Sequence, residues 1–191
     1  MKSLATRLLA TCMLVLLLPL LGLLSLGVLL SMGRPVLFRQ QRAGLAGRPF
    51  TLVKLRSMRE AYDRAGRSLP DEERVTRFGR FLRRSRLDEL VGLWNVAAGD
   101  MAFVGPRPLL PETIQALGPI GMARGQVLPG LTGWSQVSGN TLLTLDEKVS
   151  LDLWYIAHAS LRQDLHILLM TLKVMIGGER RRVPSSAGPI E

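Results

Sequence analysis

Leu8-Leu9-Ala10-Thr11-Cys12-Met13-Leu14-Val15-Leu16-Leu17-Leu18-Pro19-Leu20-Leu21-Gly22-Leu23-Leu24-Ser25-Leu26-Gly27-Val28-Leu29-Leu30-Ser31-Met32 runs 25 positions without a charge. A helix rises about 1.5 Å per residue, so such a run is long enough to cross a hydrocarbon core of roughly 30 Å. It is too long for the apolar region of a cleavable signal peptide, and Gly33-Arg34-Pro35 follows it where a small-residue cleavage site would stand. A single spanning helix and a hairpin that enters and leaves on one face remain. Pro19 sits in the middle of the run, where it removes a backbone donor and crowds the preceding turn. Lys2 and Arg7 precede the run, and Arg34, Arg39, Arg42 and Arg48 follow it. Short basic flanks stay cytoplasmic, and only a helix broken at Pro19 keeps both flanks there. The residues alone leave the two readings open.

Outward from this run, the 191 residues are enough for one domain plus an appendage. The formal net charge is +10 while only 5% of residues are aromatic. A basic, leucine-rich chain points to an anionic membrane surface, nucleic acid or polyanionic substrates. Few aromatics and no nucleic-acid motif count against the second. A single cysteine, Cys12, rules out a disulfide framework or a cysteine metal site. His158 and His166 lie eight apart, off the helical ligand spacing, and read as surface or packing residues.

Val36 to Arg42 and Phe50 to Leu55 read as two strands joined by the glycine-containing turn 43–47, a β-hairpin. Residues 62–73 read as a polar loop, after which Asp71-Glu72-Glu73 opens a helix carrying Arg74, Arg77, Arg80, Arg83, Arg84 and Arg86. Asp88 and Glu89 follow directly, on an amphipathic helix expected over Leu87–Val96 and broken by Gly99. Nearby cations favour the charged form of a carboxylate, so Asp88 is expected to be ionised and available as a nucleophile or metal ligand. The same cations would gather anionic substrates, or else lie against lipid headgroups. Met101–Val104 reads as a strand ending in Gly105-Pro106-Arg107-Pro108, where two prolines stiffen the backbone around a guanidinium suited to phosphate. A helix is expected from Thr144 through Ile156. The apolar stretch Ile167 to Ile176 is too short to span and fits an interfacial helix, with Trp154 and Tyr155 as interface anchors; core packing is the alternative.

These pieces together resemble the bacterial sugar transferases, the small monotopic phosphoglycosyl transferases. The blocks are collinear: the apolar run with Pro19; Gly33-Arg34-Pro35-Val36-Leu37-Phe38-Arg39-Gln40-Gln41-Arg42-Ala43-Gly44; Lys54-Leu55-Arg56-Ser57-Met58; Leu87-Asp88-Glu89-Leu90; Gly99-Asp100-Met101-Ala102-Phe103-Val104-Gly105-Pro106-Arg107-Pro108; Pro129-Gly130-Leu131-Thr132-Gly133-Trp134-Ser135-Gln136-Val137; and Leu151-Asp152-Leu153-Trp154-Tyr155. The resemblance implies an α+β, mainly helical fold. It has a re-entrant membrane helix over 1–33 broken at Pro19, a cytosolic and interfacial catalytic domain over 34–176, and a disordered basic tail over 177–191. It also implies transfer of a phospho-sugar from a UDP-sugar to undecaprenyl phosphate with release of UMP, at the cytosolic face of the bacterial inner membrane. Asp88 would be the nucleophile that forms a phospho-sugar aspartyl intermediate, and Glu89 would hold Mg²⁺. Lys54, Arg83, Arg107, Gln136 and Asp152 match polar positions around the family's active site. The partners implied are anionic lipid headgroups, undecaprenyl phosphate and a UDP-sugar, not nucleic acid, and a homo-oligomer is left open.

The chain departs from the family pattern at several places. Leu18 replaces a serine before the proline, Ala10 an acid, and Val91-Gly92 a Pro-Gln pair that should have stiffened the helix. Gly139-Asn140-Thr141 stands where Gly-Arg-Asn is usual, so one cation of the substrate site is absent. Three other readings compete: a membrane-anchored basic module that binds nucleic acid or anionic lipid, for which Asp88→Asn would be harmless; a glycosyltransferase that releases UDP; and an inactive paralogue that scaffolds a glycan-assembly complex.

Overall fold

The computed structural model describes residues 4–181 apart from 64 and 68. The fold is α+β and mainly helical. The apolar run forms two helices, α1 (Leu4–Leu16) and α2 (Leu18–Met32), with the break at Leu17 and Pro19 in the first turn of α2. A proline there lacks only a donor that a first turn does not use. Leu16, Leu18, Leu23 and Leu30 are all more than half exposed, an apolar surface that water does not favour.

Both ends of this helical pair dock on one folded body. On α1, Ala10 is buried against Phe50, Val96 and Met101. Arg7 donates to the carbonyls of Ala97 and Ala98 at 3.0 and 2.7 Å, which places a cation at the C-terminus of helix α5 (Leu93–Ala98). On α2, Leu24 and Val28 pack with Leu55 and Leu82. Arg56 donates to the carbonyls of Met32, Gly33 and Arg34, closing the C-terminus of α2 from the domain side.

The hairpin is present as β1 (Leu37–Ala43) antiparallel to β2 (Pro49–Leu55), with Leu37 opposite Leu55 and Ala43 opposite Pro49. The single arginine helix expected from Asp71 is two helices, α3 (Asp71–Arg74) and α4 (Arg77–Ser85). Val75 is extended and bridges to Met58, and the Thr76 hydroxyl then accepts from the Gly79 amide to start α4 afresh. α4 lies so close to β2's exit that a Cβ on Gly79 would stand 1.9 Å from the Ser57 carbonyl oxygen. The expected Leu87–Val96 helix also divides, into a 3-10 segment, Leu87–Gly92, and α5. Buried Asn95 ties α5 to β2, its amide accepting from the Val53 amide and donating to the Thr51 carbonyl.

Strand β3 (Ala102–Val104) pairs in parallel with a second short strand, β4 (Gly130–Thr132). Between them lie α6 (Pro111–Ala116) and α7 (Gly118–Arg124). After β4 come α8 (Trp134–Val137), α9 (Leu145–Ala157) and α10 (Leu161–Gly177). A capping box opens α9, in which Thr144 and Glu147 satisfy each other's backbone amides. α10 is longer than the expected ten-residue stretch and presents Leu161, Leu165, Leu169, Leu172 and Ile176 outward. Trp154 stacks on Trp134 and His158 at the surface, but Tyr155 is a core residue, not an interface anchor. Its hydroxyl donates to Asp164 at 2.6 Å, and its ring packs with Val104, Val137 and Ile167.

Candidate active site

Asp88 and Glu89 sit in the 3-10 segment just after α4. The chain turns sharply there because Arg86, the residue that closes α4, adopts the left-handed conformation at φ 56°. The turn puts the two acids in different settings. Asp88 is 5% exposed, while Glu89 is partly open and its Oε1 lies 3.7 Å from the Arg107 guanidinium. Leu87 and Val91, on either side of the pair, pack into the cluster built on Leu24, Val28, Leu55 and Leu82.

The acids open onto a cavity of about 760 Å³. Its lining carries six cations, Lys54, Arg80, Arg83, Arg84, Arg86 and Arg107, and five carboxylates, Asp71, Glu72, Asp88, Glu89 and Glu179. Three elements supply the cations: the end of β2 gives Lys54, α4 and its cap give the arginines from 80 to 86, and the Pro-Arg-Pro turn after β3 gives Arg107. Arg83 lies 4.0 Å from Asp71 and donates toward the Met58 sulfur at 3.5 Å. Lys54 stands over the Phe38 ring at 5.3 Å, and burial pushes its pKa down against the pull of Asp88 and Glu89.

The expected ionising field at Asp88 is outweighed. Burial first, then the neighbouring Glu89 charge, push its carboxyl up to about 6, against Lys54 and Arg83. Most of the arginines that crowd it in sequence, Arg77, Arg80, Arg83 and Arg84, are exposed, where water screens them.

Of the seven expected site residues, Lys54, Arg83, Asp88, Glu89 and Arg107 meet in this cavity. Gln136 and Asp152 do not line it. Gln136 is buried and donates to the Leu131 carbonyl at 3.1 Å. It borders a small void of about 40 Å³ on the far side of Lys54, Glu89 and Arg107. Asp152 is fully buried on α9 and ion-paired with Arg124, itself 4% exposed. Arg124 also donates to the Arg107 carbonyl at 2.9 Å, and the Arg107 backbone amide and Ser135 face the Asp152 carboxylate. The pair therefore grips the backbone of Arg107 from behind.

Sequence reasoning missed Arg124 and Glu179. It marked Arg86 only as one of a run of six cations, and Asn140 and Thr141 only as a departure from the family pattern. Glu179 falls inside the expected tail, of which residues 182–191 lie outside those described, yet it accepts from Arg86 at 3.3 Å and from Asn140 at 2.6 Å.

A buried carboxylate at a cavity lined by six cations defines a site suited to anionic groups, on a body that carries an apolar helical pair. A family model for bacterial sugar transferases matches residues 1–178, and the chain belongs to that family. It is similar to the uncharacterized sugar transferase EpsL of Bacillus subtilis, 43% identical over 152 residues, covering 80% of this chain and 75% of EpsL. It is also similar to two UDP-glucose:undecaprenyl-phosphate glucose-1-phosphate transferases. That of Xanthomonas campestris is 40% identical over 92% of this chain and 39% of the relative, and that of Escherichia coli K12 is 40% identical over 86% and 38%. The chain thus spans well under half the length of those two enzymes.

Proposed function

We propose that the protein is a membrane phosphoglycosyl transferase that moves a sugar-1-phosphate from a UDP-sugar to undecaprenyl phosphate and releases UMP. The observation that carries this reading is Asp88, a buried carboxylate at a cavity whose lining also carries six cations able to meet phosphates. The substrates come from the names of the relatives, which are glucose-1-phosphate transferases acting on undecaprenyl phosphate.

In this reading a carboxylate oxygen of Asp88 bonds to the β-phosphorus of the UDP-sugar. The bond from that phosphorus to the bridging oxygen breaks, and the oxygen leaves on UMP. The polyprenol phosphate oxygen then attacks the same phosphorus and frees Asp88. Lys54, Arg83 and Arg107 neutralise the diphosphate as charge shifts onto the leaving UMP. The pKa near 6 leaves Asp88 mostly ionised at neutral pH and still basic enough to attack.

Glu89 suits Mg²⁺, since its carboxylate faces the cavity and its pairing with Arg107 is loose at 3.7 Å. Among the described residues no cluster of three metal-ligating side chains exists, and Mg²⁺ commonly takes one or two carboxylates plus substrate phosphates. When bound, the ion would supply charge neutralisation of the diphosphate.

The membrane reading is a re-entrant pair broken at Pro19, with the domain on the cytosolic face of the inner membrane. Its support is that Arg7 and Ala10 on α1, and Val28 and Met32 on α2, all dock on the same body. A single crossing would carry one end away from it.

The test uses nanodisc-held protein with Mg²⁺, undecaprenyl phosphate and a panel of UDP-sugars, reading UMP and UDP separately. UMP from one sugar, dependent on the lipid and lost in Asp88→Asn by at least about 10³-fold, is expected. UDP as product, or full activity in Asp88→Asn, would overturn the reading.

A further inference from the structure

Glu179 lies one residue past the segment that the family model matches. The chain leaves α10 through Gly178 at φ 77° and brings the Glu179 carboxylate onto the wall of the active-site cavity. Four donors converge on its two oxygens. Oε1 accepts from the Asn140 side-chain amide at 2.6 Å and from the Arg86 guanidinium at 3.3 Å. Oε2 accepts from the Thr141 backbone amide at 3.2 Å and from the Thr141 hydroxyl. A carboxylate offers about four lone-pair sites, so Glu179 has none to spare for a sugar hydroxyl or a cation.

Its charged donor is held independently of it, and the backbone places the other two residues. Arg86 is 93% buried by its own exposure of 7%, fixed by its left-handed backbone and by a 2.8 Å bond to the Gln136 carbonyl. Asn140 starts a short 3-10 turn over Asn140–Leu142 at φ 44°. The occupant is held more lightly. Its strap touches the fold where Gly139 lets the Arg181 Cα approach, and at an ion pair between Arg181, more than half exposed, and Glu147.

We propose that Arg86, Asn140 and Thr141 form an anion subsite of the active-site cavity that Glu179 fills until a substrate phosphoryl group displaces it. This rests on the phosphotransferase reading above. A guanidinium, a backbone amide, a side-chain amide and a hydroxyl aimed at one point make a donor set suited to phosphate as well as to carboxylate. The subsite opens on the same cavity as Asp88 and Glu89, where phosphates must arrive. Its present occupant is itself an anion. Burial pushes the Glu179 carboxyl up, but the bonds from Asn140 and Thr141 and the charge of Arg86 outweigh burial and hold it below the usual range. The displacing phosphoryl could be the donor's diphosphate or the phosphate of the lipid acceptor, which share this chemistry.

The test compares the full chain, Glu179→Ala, and Glu179→Ala with Thr141→Val, all in nanodiscs, by titration calorimetry with inorganic phosphate. A tethered competitor acts at an effective concentration in the millimolar range, so its removal should tighten phosphate binding about tenfold. Thr141→Val, at a surface position outside the catalytic pair, should reverse most of that gain. Glu179→Ala binding phosphate no more tightly than the parent would make Glu179 a fixed wall and overturn the proposal, as would a gain that Thr141→Val leaves intact. Binding needs no turnover, so a protein that gains phosphate affinity but makes no UMP refutes only the transfer reading. In turnover, a lower KM for the UDP-sugar in Glu179→Ala assigns the subsite to the donor, and a lower KM for undecaprenyl phosphate assigns it to the acceptor. Neither KM falling would refute a substrate role.

Discussion

Asp152→Asn should be among the most damaging single changes in the protein outside the cavity. The substitution keeps the side chain's size and removes its charge. Asp152 is 0% exposed and Arg124 4%, so the guanidinium is left as an uncompensated buried cation. Removing one partner of a buried ion pair typically costs about 3–5 kcal/mol. For a chain of this length each kcal/mol moves the unfolding midpoint by about 2–4 °C, so the expected loss is roughly 6–20 °C. The measurement is thermal unfolding in detergent by near-UV circular dichroism, with Asp152→Leu/Arg124→Met alongside. Replacing both partners by apolar groups removes the stranded charge, and such replacements are often neutral. The double variant should therefore recover most of the midpoint. It should not recover activity, because Arg124 also donates to the Arg107 carbonyl and holds that guanidinium toward Glu89. A raised KM for the UDP-sugar in the double variant would show this. A midpoint for Asp152→Asn within about 2 °C of the parent, or a double variant no better than the single, would refute the reasoning.

Two further outcomes follow from local geometry. Gly79→Ala puts a Cβ 1.9 Å from the Ser57 carbonyl oxygen, so α4 must retreat. The expected cost is about 1–3 kcal/mol by chemical unfolding, and UMP release should fall with it because Arg83 rides on that helix; an unchanged midpoint would contradict the close packing. Glu179 titrates below its usual value of 4.5 in the folded protein. A depressed carboxyl contributes stability that is complete above its unfolded pKa and lost as pH falls through the folded one. The midpoint gap between parent and Glu179→Ala should thus hold steady from neutral pH to about 5 and close only below about 4.5. A gap that widens as pH falls from about 7 to 5 would mean that the carboxyl is raised instead.

What the sequence reveals is what is local. The charge-free run, the alternating strands of the hairpin, and the Asp88–Glu89 pair each depend on neighbours a few residues away. What it hides are contacts between distant segments and the choice between faces of one helix. Asp152 reads as a polar position near a site, but on α9 it shares a buried face with Val149, Leu151 and Tyr155. The same face turns Tyr155 into the core and leaves Trp154 at the surface. A charge sits on that inward face only because Arg124, 28 residues earlier, meets it. Strand β4 is three residues long and too short to show a period. Arg86 reads as one of six arginines, and nothing in that run marks it as the one whose backbone turns left-handed and whose side chain is buried. Its partner Glu179 is 93 residues away. The Asp88 carboxyl goes the other way from the sequence expectation because counting charges along a chain says nothing of depth, and burial is the largest influence on it.

The position of the acid pair against α2 bears on how a lipid-borne phosphate could reach it. Leu87 and Val91 bracket Asp88 and Glu89 and pack into the cluster built on Leu24, Val28, Leu55 and Leu82. The turn that carries the carboxylates therefore rests on an apolar cluster that α2 shares with β2 and α4. Burying those side chains links Asp88 to α2 through one shared apolar cluster. Arg56 adds a second tie, from the end of β2 to the last carbonyls of α2. Lys54 is two residues before that tie, so the cation facing Asp88 is referenced to the same helix. An acceptor held in lipid by its hydrocarbon chain brings its phosphate to a depth set by the membrane. In the proposed reaction, Asp88 and Lys54, both tied to an apolar helix, would meet that phosphate at a depth set by the same boundary. This coupling gives a reason for the apolar pair to be packed into the catalytic body at both ends and not attached to it by a linker.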